Sequence, residues 1–254
     1  MRRTIIYMTI GVMVLSLSSC FKKAEKAYGK EVTKTIRVDS FKDINIGVPA
    51  EVYYVQDSVT SIRIVGFEKL IDKDAVTVED SVLDIHEKED GSKLKIQMAP
   101  RPRLKIFISS PTIRNVAISG SGSFKSRHAV HAGLLSLKVY GSGSYSLPSV
   151  QAKSVNMNIS GSGDISVGAV CADSVSAAIY GSGDMSFNSN NVRITHLVIS
   201  GSGDMKVGFR KGGLVTTSIS GSGDIRLSGD IQKLDKLISG SGDIDMDGLT
   251  IKNK

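Results

Sequence analysis

Between residues 155 and 167 apolar and polar positions alternate without a break. Val155, Met157, Ile159, Gly161, Gly163, Ile165 and Val167 fall on one parity; Asn156, Asn158, Ser160, Ser162, Asp164 and Ser166 fall on the other. A period of two predicts a strand with one buried face. The stretch from Val175 to Phe187 and the stretch from Val215 to Leu227 repeat it, again straight through a Gly-Ser-Gly triplet. The triplet therefore reads as a corner inside a continuous ribbon, with its glycines inward and its serine outward. Glycine suits a place where the backbone bends and the interior has no room for a side chain.

The triplets keep a ruler. They begin at Gly120, Gly141, Gly161, Gly181, Gly201, Gly221 and Gly240, so the steps are 21, 20, 20, 20, 20 and 19 residues. Such regularity marks a repeat architecture. Twenty extended residues trace about 66 Å, which closes into one coil with three short sides. The predicted fold is all-β: a parallel β-helix, or solenoid, with ~20-residue coils stacked about 4.8 Å apart. No such coil is stable alone, because each buries its apolar face on its neighbours. A propeller blade needs about twice this period, and a leucine-rich repeat needs a ladder of leucines that is absent. A meander of antiparallel hairpins is the remaining rival; it would require the alternation to reverse within each period.

The alternation also divides the chain. Residues 1–19 read as a signal peptide, with Arg2 and Arg3 ahead of an apolar run from Ile5 to Leu17 that is too short to span a bilayer. Residues 20–32 read as a lipidated cysteine and a charged, mobile tether, with Cys20 the lipidation site. Residues 33–110 form an irregular N-terminal β region, built from runs such as DINI, EVYYV, SIRIV, LKIQM and LKIFI, which caps or continues the rod. Residues 111–254 form the GSG-repeat β-helix.

Leu17–Cys20, LSSC, resembles the bacterial lipobox, which implies diacylglyceryl and acyl groups on Cys20 as the first mature residue. Two or more acyl chains make a stable anchor. The address is then the envelope: an exported outer-membrane lipoprotein, on the periplasmic or the surface face. Cys171 would be the one remaining thiol, so no intramolecular disulfide can form. Loss of Arg2 and Arg3 takes the net charge from +7 to +5, mildly basic. With no tryptophan and no basic cluster interleaved with aromatics, no nucleic-acid partner is expected.

Three segments together resemble a known family: INIGVPAEVYYVQ (Ile44 to Gln56), PTIRNVAISGSGSF (Pro111 to Phe124) and the serial GSGD coils. They are similar to the head GIN domain family of autotransporter adhesins, over about residues 33–251. The resemblance implies secreted or lipid-anchored envelope proteins with a β-helical fold and a role in adhesion. An autotransporter adds a membrane barrel; no such barrel follows the last repeat before Lys254, so the lipid is expected to hold this chain at the membrane.

The polar positions offer two candidate sites. Asp164, Asp184, Asp204, Asp224 and Asp243 follow successive triplets and would stack into a carboxylate ladder, where Asp accepts a backbone N–H at the corner or, alternatively, neighbouring carboxylates share calcium. Tyr140 and Tyr180 occupy the outward place before the triplet, two coils apart, where exposed rings can stack on sugars. Otherwise no metal or cofactor is expected. His86, His128, His131 and His196 show no metal-ligand spacing, and no nucleophile elbow is present. The carboxylates come as a repeated column instead of a special pair.

The expected function is that of a non-enzymatic envelope lipoprotein whose β-helical surface serves adhesion or binds a glycan or protein. Two alternatives remain: a polysaccharide-acting enzyme of the β-helix type, for which Arg101, Arg103 and Lys105 are weak candidates, and a structural envelope protein assembling end to end.

Overall fold

The computed structural model describes residues 8–11, 19–88 and 102–252. Each coil of the repeat region is made of two strands, as in Ser154–Gly161 and Asp164–Cys171, followed by Ser174–Gly181 and Met185–Asn190 in the next. Every strand pairs in parallel with its equivalent one coil on. Gly120, Gly141, Gly161, Gly181, Gly201, Gly221 and Gly240 are successive register partners. Neighbouring copies thus run in the same direction, which excludes the antiparallel meander. The fold is a parallel β-solenoid of about 7 turns.

The parity read from sequence is the parity of burial. Val155, Met157, Ile159, Ile165 and Val167 are fully buried. The inward step then lengthens from two to three, because Val167 and Val170 are both buried while Gly168 is exposed. This slip, at which the pairing with the next coil also shifts, folds the second strand over the core as a further bend. Inside the first coils the rings of Tyr54, Phe124 and Tyr145 follow one another at 5.6 and 5.8 Å between centres, the first pair stacked and the second tilted.

The corner glycines have a sharper reason than a narrow interior. The first glycine of each triplet has φ between +98° and +147°. A Cβ on Gly181 would lie 2.2 Å from the carbonyl oxygen of Gly161, and one on Gly183 2.0 Å from that of Gly163. The neighbouring coil's backbone occupies the space a side chain would need.

The N-terminal region both continues and closes the rod. Asp43–Ile46 and Ala50–Gln56 make one more coil in register, with Ile46 beside Ile118 and Val52 beside Phe124. Val82–Glu87 and Leu104–Ser110 lie parallel on that coil, and beyond them the direction reverses. Ser61–Phe67 lies antiparallel on Leu104–Ser110, Asp74–Glu79 antiparallel on Val82–Glu87, Glu31–Ile36 antiparallel on Ser61–Phe67, and Met8–Gly11 antiparallel on Glu31–Ile36. Glu68–Lys73 is a short helix that buries Leu70 and Ile71. The expected strand LKIQM lies outside the described residues.

The tether expected over residues 20–32 is folded instead. Ser19–Tyr28 is a helix and Glu31–Ile36 a sheet strand. Ala24 and Tyr28, one helical turn apart, pack on the core, and the Tyr28 ring sits 6.4 Å from that of Phe67. Charge along this segment masked a short apolar stripe.

Candidate functional site along the GSG corner

Three outward columns run side by side along the GSG corner. The first holds Ser119, Tyr140, Ser160, Tyr180 and Ser200 in register. The second is the exposed serine of each triplet, and the third is the aspartate that follows it. Parallel pairing fixes the rise at about 4.8 Å per coil.

The aspartate column is bonded along its length. Asp184, Asp204, Asp224 and Asp243 each donate a backbone N–H to the carboxylate Oδ1 of the aspartate one coil before, at 3.4, 3.1, 2.9 and 2.8 Å. Backbone bonds join the serine column as well: the N–H of Ser182 donates to the carbonyl of Gly161 at 2.9 Å, and that of Ser202 to Gly181 at 2.8 Å. The serine hydroxyls are left facing solvent. Among the described residues no three His, Cys, Asp or Glu side chains converge on a common metal position.

The next outward column reads Ser146, Ser166, Ser186, Lys206, Arg226 and Asp245. Between it and the aspartates lies an open groove of about 940 Å³. Arg226 Nε donates to Asp245 Oδ2 at 2.7 Å. That bond holds the Asp245 carboxyl below the usual carboxylate range, and Asp245, Asp204 and Asp224 together raise the Arg226 guanidinium. The groove therefore carries hydroxyls beside the aspartates at its early coils and adds two cations, Lys206 and Arg226, at its late ones, while carboxylates outnumber cations along it.

Tyr140 and Tyr180 stand 47% and 49% exposed, with Ser160 between them. Two coils put them about 10 Å apart on one face. The side chain of Cys20 lies outside the described residues. Among the described residues no helix is long and apolar enough to cross a membrane.

One cluster escapes the sequence reading. Arg63, Phe107, Tyr53 and Lys125 lie side by side on four paired strands, in line with Ser146. The two rings stack at 5.2 Å; Arg63 covers Phe107 at 4.2 Å and Lys125 covers Tyr53 at 5.8 Å. Outward parity in EVYYV and LKIFI was the available signal. The ring faces are all occupied, so this row braces the N-terminal coils and leaves sugar stacking to Tyr140 and Tyr180. Leu104–Ser110, which carries Lys105, is paired on both sides. Arg101 lies outside the described residues.

A family model described as "Putative auto-transporter adhesin, head GIN domain" matches residues 40–212 and 195–254. Solved structures share the fold. A "putative lipid binding protein" from Parabacteroides distasonis is 24% identical, with a TM-score of 0.72 over 85% of this chain and 96% of that one. A "putative adhesin" from Bacteroides fragilis is 21% identical with the same TM-score and coverage. A "putative adhesin" from Parabacteroides merdae is 20% identical, with a TM-score of 0.63 over the same shares. No functionally curated protein matches the sequence.

Proposed function

Because this chain belongs to the head GIN domain family, we propose that it is an exported lipoprotein of the bacterial outer membrane, anchored through Cys20, which binds an extended glycan along the GSG corner without cleaving it. The observation that carries this reading is the register. It repeats the same outward residues about every 4.8 Å, a periodic polar surface suited to a periodic polymer. Tyr140 and Tyr180 are spaced to stack on non-adjacent sugars, and the serine columns offer hydroxyls to those between. Affinity would come from many weak contacts in series, so short oligosaccharides bind far more weakly than long chains.

Retention of the full chain on an array of long bacterial surface polysaccharides tests this. The reading expects binding that grows with chain length, falls in the Tyr140→Ala/Tyr180→Ala double variant, and releases no shortened product. Product release would make the protein an enzyme. No retention on any glycan, together with capture by a purified envelope protein, would move the ligand to the protein class.

A further inference from the structure

The two ends of the solenoid stop in different ways. At the N-terminal end the strands turn antiparallel, so no further parallel coil can be added there. At the other end residues 233–240 pair with the preceding coil through Leu214–Gly221, and among the described residues no strand lies on their far side. Half of the backbone groups on this edge are free to pair.

One core column explains why it stays open. The inward residues four places before each triplet's first glycine are Val116, Leu137, Met157, Ala177, Leu197 and Thr217, all buried. The next member is Lys236, the register partner of Thr217. The column thus passes from apolar to hydroxyl to ammonium in its last two steps, and the Thr217 hydroxyl is buried without a partner. Lys236 can lay its aliphatic stem over Thr217 and hold its charge in water. A coil stacked on top would bury that charge.

We infer that Lys236 is the stop residue of the solenoid: it keeps an otherwise self-complementary C-terminal edge from pairing tail to tail with a second copy of this chain. A two-fold axis through Lys236 would place Leu234 opposite Ile238 of the second copy and Ile238 opposite its Leu234, apolar on apolar. Inward residues stay inward in that arrangement, and the strands meet antiparallel. Only the central position conflicts, because Lys236 would face its own copy, and like charges directly opposed across strands are destabilising. An inward-pointing charge on an exposed edge is a recognised defence against edge pairing.

The test is sedimentation velocity on the full chain with Cys20→Ser, which removes lipid-driven association. Lys236→Leu should strengthen self-association about tenfold or more over the parent, while circular dichroism stays that of the parent. Lys236→Glu keeps a charge at the axis and should stay monomeric alone, yet dimerise when mixed with the Lys236 parent, since the axis then pairs Lys with Glu. If Lys236→Leu fails to fold, the mixing experiment decides alone. A monomeric, folded Lys236→Leu protein, an inert Lys/Glu mixture, or a parent already dimeric at the same concentrations would overturn the inference.

Discussion

Asp224 donates its backbone N–H to the carboxylate of Asp204 at 2.9 Å, and the same bond recurs between every consecutive pair in the column. Five like charges therefore stand in line, and the first four, Asp164, Asp184, Asp204 and Asp224, each accept a bond from the next coil. The repulsion between neighbours, about 1 kcal/mol in water and less in salt, is offset by a charge-assisted bond of similar or larger size.

This arrangement makes the column structural before it is anything else. Asp204→Ala should lower the melting temperature by about 2–4 °C, the loss of one such bond in a domain of this size. Asp204→Asn keeps an acceptor in place and relieves repulsion, so it should stay near the parent. Adding millimolar calcium should leave the melting temperature of the parent unchanged, because four of the five carboxylates are already engaged with the next coil. A stabilising shift with calcium that Asp204→Asn abolishes would reverse this reading and make the column a cation site.

The corner glycine Gly181 and the loop glycine Gly133 stand at opposite extremes. Gly181 has φ +144° and a Cβ there would meet the Gly161 carbonyl at 2.2 Å, whereas a Cβ on Gly133 would meet nothing within 4 Å. Gly181→Ala should cost at least about 2 kcal/mol, through backbone strain and forced separation of two coils. Gly133→Ala should be neutral or slightly stabilising. Urea unfolding of the two variants compares them directly. Equal midpoints would show that the corner yields easily.

The repeat was legible because period two and period twenty are both written in letters: the parity at Ile159, Gly161 and Gly163 passes unchanged into burial and register. The parity slip between Val167 and Val170 was not, since a step of three in one short stretch looks like a loop. The helix at Ser19–Tyr28 was hidden because Ala24 and Tyr28 are two contacts among lysines and glutamates, and what holds them, Phe67 and the adjoining sheet, lies far along the chain. The row Arg63–Phe107–Tyr53–Lys125 was out of reach for the same reason. Its members become neighbours only when antiparallel and parallel pairings meet on one sheet, which no local pattern announces. The corner columns were found because they repeat.

The proposed lipidation at Cys20 would have a direct consequence in the cell. The Cys20→Ser chain should lose radiolabelled fatty acid and move from the membrane fraction to the soluble envelope fraction, with the solenoid still folded. Its far-ultraviolet spectrum should remain dominated by strand. Cys171, exposed and free, should react with a maleimide in the folded protein. Continued membrane association of the serine variant would place the anchor elsewhere.

Acid stability should be governed by the joint between the N-terminal coil and the first GSG coil. There Asp43 accepts from Arg114 Nε at 3.0 Å, from the Asn115 side chain at 2.8 Å and from the Asn115 backbone at 3.2 Å, with a second Arg114 contact beside them. The Arg114 bond, helped by Asn115, holds the Asp43 carboxyl below its ordinary value of 3.8 against the opposing effect of burial. A carboxyl depressed in the folded state adds stability that is complete above its unfolded value and is lost as pH falls through the folded one. The joint should therefore hold at neutral pH and weaken below about pH 4. Asp43→Ala should cost about 2 kcal/mol at pH 7, since it strands Arg114 and Asn115, and much less at pH 2. Denaturant midpoints for the parent and the variant at the two pH values check this, and a difference that does not shrink in acid would show that Asp43 acts through packing instead of charge.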